Sequence, residues 1–156
     1  MEIKIDEKTK EVLLIDIETY VFINPVSEHV PEEHVGIESI SFDDELTRID
    51  FVYIAKQEHG NVSWVHIERN SFIRPVGSDV KYKLIKAINI PYAPNKHFFN
   101  CSGQVLRYTL LFPALPKNTK EIDIIEKLAP GTYFNFFRVQ LNNKKPLLVS
   151  VGNNFN

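Results

Sequence analysis

The sequence predicts an all-β protein, a single antiparallel β-sandwich of about seven to nine strands. Three observations carry that expectation. The first is composition: 17 Ile, 14 Val, 11 Phe and 6 Tyr stand against 5 Ala and 1 Met. β-Branched and aromatic side chains fit a pleated, half-buried surface, whereas Ala and Met favour helices. The second is periodicity, with apolar residues at every second position over short segments. The third is punctuation, since 9 Pro and 6 Gly are spread along the whole chain and cut it into short pieces. A βαβ arrangement needs repeated helical stretches of about 10–15 residues. Only Thr119–Leu128 offers a helical spacing, with Ile122, Ile125 and Leu128 at i, i+3 and i+6, and its Asp123-Ile124-Ile125 reads equally well as a strand.

The expected strands follow in order. Glu2–Asp6 alternates Ile3 and Ile5 with charges, and Glu11–Ile23 is a long apolar run ended by Asn24-Pro25. Val35–Phe42 places Val35 and Ile37 on one face and, after a phase slip, Ile40 and Phe42. Thr47–Lys56 sets Ile49, Phe51 and Tyr53 against Asp50, Val52 and Ile54. Asn61–Arg69 sets Val62, Trp64 and His66 against Ser63, Val65 and Ile67. Val80–Ile90 carries Tyr82, Leu84, Ala87, Ile88 and Ile90 as one element, and Val105–Phe112 alternates Leu106, Tyr108, Leu110 and Phe112 with Arg107, Thr109 and Leu111. Thr132–Leu141 sets Tyr133, Asn135, Phe137, Val139 and Leu141 against Phe134, Phe136, Arg138 and Gln140, and Leu147–Val151 closes the set. Pro25–His34 and Pro91–Gly103 read as loops, and Asp43-Asp44-Glu45 as a turn.

A chain of 156 residues fits one domain spanning 1–156 and can bury a core without staples. It shows no internal repeat, low-complexity stretch or long linker. The 18 Lys+Arg against 20 Asp+Glu give a net charge of −2, which provides no general attraction to nucleic acid or to an anionic membrane. Lys81-Tyr82-Lys83-Leu84 puts its basic and apolar residues on opposite faces, as a half-buried strand does and a nucleic-acid platform does not. No stretch approaches the ~18 apolar residues of a membrane span. The charged start, Met1-Glu2-Ile3-Lys4, lacks the apolar segment of a secretory signal. The expectation is a cytoplasmic protein if Met1 is native, and a cell-envelope or secreted one if a signal has been removed.

No constellation points to an enzyme. His29 and His34 lie five residues apart around Pro31-Glu32-Glu33; paired metal ligands on a helix need a gap of four, and the proline breaks such a helix. No nucleophile elbow, phosphate-binding glycine loop or calcium loop is present. The lone Cys101 excludes an intrachain disulfide and a cysteine-rich zinc site. Asp16 and Glu18 share a strand face, as do many solvated carboxylates. Neither a cofactor nor a metal is expected. The unusual feature is aromatic: Tyr133-Phe134-Asn135-Phe136-Phe137 carries rings on both faces, so one set packs in the core and the other meets a second layer, a groove or a partner. Trp64, Phe98, Phe99, Phe134 and Phe136 are the candidate binding residues.

The stretch Tyr108–Glu126 includes Phe112-Pro113-Ala114-Leu115-Pro116-Lys117 and Ile122-Asp123-Ile124-Ile125-Glu126. With Trp64-Val65-His66-Ile67 and Lys81-Tyr82-Lys83-Leu84 upstream, it resembles a group of uncharacterised bacterial immunoglobulin-like β-sandwich domains, over roughly Arg48–Leu141. In that group a Phe-x-x-Leu-Pro-Lys strand end precedes Ile-Asp-x-Ile-Glu and an aromatic strand. The resemblance implies an accessory role beside other domains and carries no catalytic residues. The resulting expectation is a non-catalytic interaction or accessory module. It would bind another protein or a fused domain through loops or an aromatic strand face. The alternative is a carrier for a small apolar ligand, with a β-barrel cavity lined by Trp64, Tyr82, Phe134 and Phe136.

Overall fold

The computed structural model describes residues 2–5, 12–15, 17–28, 34–56, 63–141 and 147–151. The described residues form fourteen strands and no helix. They are β1 (Glu2–Ile5), β2 (Val12–Ile15), β3 (Ile17–Ile23), β4 (Val35–Phe42), β5 (Leu46–Ile54), β6 (Trp64–Val65) and β7 (Phe72–Pro75). Then come β8 (Tyr82–Lys83), β9 (Lys86–Ile88), β10 (His97–Phe98), β11 (Val105–Pro113), β12 (Glu121–Ile125), β13 (Phe136–Gln140) and β14 (Leu147–Val151). Every ladder among the described strands is antiparallel, and the isolated bridge between Ile67 and Tyr92 is parallel. One sheet has six strands in the order β14-β3-β4-β5-β11-β9, another four in the order β13-β12-β7-β8. Two ribbons, β1-β2 and β6-β10, complete the set.

The six-stranded sheet obeys the period-two rule. On β5, Thr47, Ile49, Phe51 and Tyr53 are buried, and on β11 they face Phe112, Leu110, Tyr108 and Leu106. Side chains at paired positions project to the same side, so these rows form one apolar face. On β4 the ladder to β5 shifts between Ile37 and Ser39. That bulge at Glu38 is the phase slip visible in the sequence, and it returns Ile40 to the core. The Asp43 turn also forms: its Oδ1 accepts the amides of Glu45 at 2.8 Å and Leu46 at 3.0 Å.

The four-stranded sheet covers that face. Phe51 stacks on Tyr108 at 5.0 Å and meets Phe136 of the opposite sheet at 5.7 Å. Ile73, Ile122, Ile124, Phe136 and Val139 complete a shared core. A small space between the layers, lined by Phe51, Ile67, Phe112 and Phe134 among others, holds about 10 Å³.

Among the described residues neither sheet closes on itself, but chain crosses between them at both edges of the four-stranded sheet. Beyond β3, Asn24 turns with φ 46° and the next residues run along β13: Gln140 donates to the Val26 carbonyl at 2.8 Å, and Glu28 donates to the Phe137 carbonyl at 3.1 Å. At the other edge the expected single strand Val80–Ile90 is two strands, because Leu84 donates to Ser71 beside β7 and Ile85 donates to Leu111 on β11, each at 2.8 Å. Such strand switching makes the corners of two-layer β folds.

Other differences from expectation have local causes. Asn61–Arg69 is strand only at Trp64–Val65, its first two residues lying outside the described ones. Within Glu11–Ile23, β2 ends at Ile15 and β3 begins at Ile17. Within Thr119–Leu128, Glu121–Ile125 is strand β12, with Ile122, Asp123, Ile124 and Ile125 all buried; a strand covered on both faces gives no alternation. Strand β7 was not expected, being four residues that end in Pro75. In the aromatic stretch, strand begins only at Phe136 and Arg138 bulges with φ 52°. Phe136 and Val139 therefore both face the core, although a plain alternation puts them on opposite sides.

Candidate binding cleft

The corner where β5, β6 and β12 end holds an open cleft of about 480 Å³. Tyr53 and Lys56 come from the end of β5, Trp64, His66 and Glu68 from β6 and the chain after it, Glu126 from the end of β12, and Thr132, Tyr133 and Phe134 from the approach to β13.

Glu126 organises the floor. Its Oε1 accepts the Phe134 amide at 2.8 Å and its Oε2 accepts the Glu68 amide at 3.1 Å. One carboxyl thus ties two separate chain segments together across the cleft. Asn135 closes the loop from the other end: its Oδ1 accepts the amides of Glu126 at 2.8 Å and Lys127 at 3.2 Å, and its Nδ2 donates to the Lys127 carbonyl at 2.9 Å. Gly131 lies inside this loop with φ 134°, and a Cβ there would sit 3.0 Å from the Tyr133 ring. Glycine lets that ring lie against the backbone.

The walls are aromatic. Tyr53 stacks on Phe99 at 5.4 Å and meets Phe134 at 5.8 Å. Trp64 packs edge-on to His66 at 4.9 Å, and the Lys96 ammonium sits over its ring at 4.2 Å. The Lys127 ammonium lies 5.5 Å from the Tyr133 ring centre. The His66 Nδ1 atom is buried without a hydrogen-bond partner.

The charge state of the floor is unusual. Burial pushes the Glu126 carboxyl from an ordinary 4.5 up to about 7. The Phe134 and Glu68 amides oppose the rise, the Glu68 charge adds to it, and Lys127 counters it weakly. At neutral pH the group is therefore near half-ionised, whereas an exposed glutamate is fully ionised. Asp50, on the outer face of the six-stranded sheet, behaves oppositely. Burial pushes its pKa up, but hydrogen bonds from Thr109 (2.6 Å), Ser39 (2.9 Å) and Arg48 (3.0 Å), with the Arg48 charge, hold it below the usual value.

The five candidate residues separate. Trp64 and Phe98 are cross-strand partners on the β6–β10 ribbon, 40% and 58% exposed, and project together beside the cleft. Phe134 is half-buried and lines the cleft. Phe99 and Phe136, at 2% and 1% exposure, are core residues, so a partner meets neither of them directly. Of the residues proposed for a carrier cavity, Trp64 and Phe134 line this cleft, whereas Phe136 and Tyr82 do not.

Glu126, Glu68, His66, Tyr53 and Tyr133 were missed as a site. One sequence signal points there: a Glu directly after Ile124-Ile125 and an Asn inside a run of four aromatics are polar groups in apolar company and need partners. Among the described residues no group of three His, Cys, Asp or Glu could hold a metal ion, no helix is long and apolar enough to cross a membrane, and Cys101 is exposed and free. His29 and the Pro31–Glu33 segment lie outside the described residues. No protein-family model, curated protein or solved structure matches the chain.

Proposed function

We propose that the protein is a non-catalytic interaction module that binds another protein, or a domain of the same polypeptide, through the β6–β10 ribbon and the adjoining cleft. The observation that carries this is the exposed Trp64–Phe98 pair. Two large rings held side by side on a short ribbon are the kind of anchor that dominates protein interfaces. The Val65 side chain beneath them is buried, so the ribbon is fixed to the core and presents the rings without a large ordering cost. The facing antiparallel sheets favour a sandwich of the immunoglobulin-like kind, with this corner as its recognition end.

A direct test is affinity capture with the wild-type protein and with a Trp64→Ser/Phe98→Ser double variant, then calorimetric titration of the purified captured partner. The expected result is a partner held by the wild type and weakened at least tenfold by the variant. If every protein captured by the wild type binds the variant equally well, the ribbon is not a binding surface.

A further inference from the structure

The floor of the cleft holds a buried carboxyl that no cation of the described residues pairs with. Glu126 is only 5% exposed, and the Glu68 carboxylate acts on it as a like charge. Among the described residues neither forms an ion pair; the ion pairs run Arg48–Asp50, Arg74–Asp123, Arg107–Glu38, Arg138–Glu28 and Arg138–Glu121. The other charged or titratable groups around the cleft are Lys127 beside Glu126, Lys96 over the Trp64 ring, and Lys56, His66, Tyr53 and Tyr133 on the walls. Buried charges are normally paired or neutralised, and here a proton does part of that work. Each Glu126 oxygen accepts a single backbone N–H, and a carboxylate has about four acceptor sites, so further donors can be received. The walls suit a cation as well. The Trp64 and Tyr133 rings present faces that attract positive charge, and an incoming cation shares them with Lys96 at 4.2 Å and Lys127 at 5.5 Å.

We propose that the cleft receives a lysine or arginine side chain of a partner protein, its charge directed at Glu126 and Glu68 and its stem against the Trp64 and Tyr133 rings. Resting on the interaction reading above, this names the group the partner presents. A bound cation favours the ionised form of Glu126, so occupancy expels the proton held there and affinity rises with pH. Lys96 competes for the Trp64 ring and so makes a lone basic side chain a weak ligand; the exposed ribbon supplies the rest of the interface.

Trp64 is the single tryptophan of the chain, so its fluorescence reports on the cleft directly. The probes are acetyl-Gly-Lys-Gly-amide, its arginine counterpart, the uncharged norleucine isostere and spermidine, each titrated at pH 6 and pH 8 in low salt. The lysine and arginine peptides are expected to shift Trp64 emission saturably and the norleucine peptide to leave it unchanged. Binding should tighten three- to tenfold from pH 6 to pH 8, because the ionised fraction of a group titrating near 7 rises from about a tenth to about nine tenths. Glu68→Gln should weaken the lysine peptide several-fold with an unchanged near-ultraviolet dichroism spectrum, and Glu126→Gln should remove the pH dependence.

Equal shifts from norleucine and lysine would make the cleft an apolar groove and overturn the proposal. So would the absence of a saturable shift up to about 10 mM peptide, an affinity too weak to contribute usefully to an interface. Spermidine binding with no peptide binding would overturn the protein source. If the peptides fail while the Trp64/Phe98 variant still loses its partner, this inference falls and the interaction module stands. If the peptides bind while that variant keeps its partner, the ribbon falls and the cleft stands.

Discussion

The β4–β5–β11 sheet and the β12–β13 corner both bury rows of Ile, Phe and Val, yet they hold their shapes by different means. In the sheet, nine consecutive residue pairs join β5 to β11 without a break. Backbone ladders carry the geometry there, and side chains need only be apolar on one face. At the corner the ladder is interrupted between Ile122 and Ile124, and side chains take over. The Asp123 carboxylate accepts the Arg138 amide at the bulge (3.0 Å) and the Arg74 guanidinium (3.1 Å), and Glu126 and Asn135 hold the loop that follows. A region built on ladders tolerates any substitution that keeps the pattern. A region built on individual polar side chains depends on particular residues, and it is the region that forms the cleft.

Four measurements sharpen this contrast. The largest effect is expected in the core that both regions share: Phe51→Ala should lower unfolding free energy by about 3–5 kcal/mol, the usual cost of deleting a buried aromatic ring, read by urea denaturation. A loss below about 1 kcal/mol would mean that the two layers do not pack through this ring.

Next is pH. Glu126 has a folded pKa above its unfolded value, so its contribution is fully present below about pH 4.5 and is lost as pH rises toward 7. The shift corresponds to about 3 kcal/mol between those limits. Asp50 has the opposite sign: its folded pKa lies below the unfolded one, so its contribution is present above 3.8 and is lost on acidification through the folded value. Chemical denaturation from pH 4.5 to 7.5 should show stability falling in the wild type and flat in Glu126→Gln. A parallel decline in both would assign the slope elsewhere.

Asp123→Ala should cost about 2–4 kcal/mol, because it leaves the Arg74 charge and the Arg138 amide without their acceptor. Asp50→Ala, on the more exposed and ladder-supported sheet face, should cost about 1 kcal/mol or less. Equal losses would erase the distinction between the two regions. The smallest effect is expected at the ribbon: Trp64→Ser should change stability by less than about 1 kcal/mol, since it removes an exposed ring and one cation–π contact. A larger loss would make the ring part of the fold and not a recognition anchor.

The same contrast explains what could be read from the sequence. The alternation of Ile49, Phe51 and Tyr53 with Asp50, Val52 and Ile54, and even the slip before Ile40, follow from local pattern, because a strand with one buried face writes its period into its residues. The corner does not work that way. The bulge at Arg138 inverts the facing of every residue after it, and no neighbouring residue type announces it. The split of Val80–Ile90 between two sheets is likewise fixed by tertiary hydrogen bonds to Ser71 and Leu111. As for the cleft, Trp64, Phe98 and Phe134 were legible as conspicuous aromatics. Glu126 and Glu68 were not, because what distinguishes them is that residues far apart in sequence meet across one carboxyl.

The strand-switching segments have a consequence for how this chain coexists with copies of itself. An unpaired sheet edge is a template on which a second chain can grow a strand. On the β13 side, the Val26–Glu28 segment already occupies those backbone groups, so this edge is capped by the protein's own chain. A proline in place of Glu28 would remove the amide that bonds Phe137. It should raise the tendency to form fibres or precipitates on prolonged incubation far more than it lowers the melting temperature.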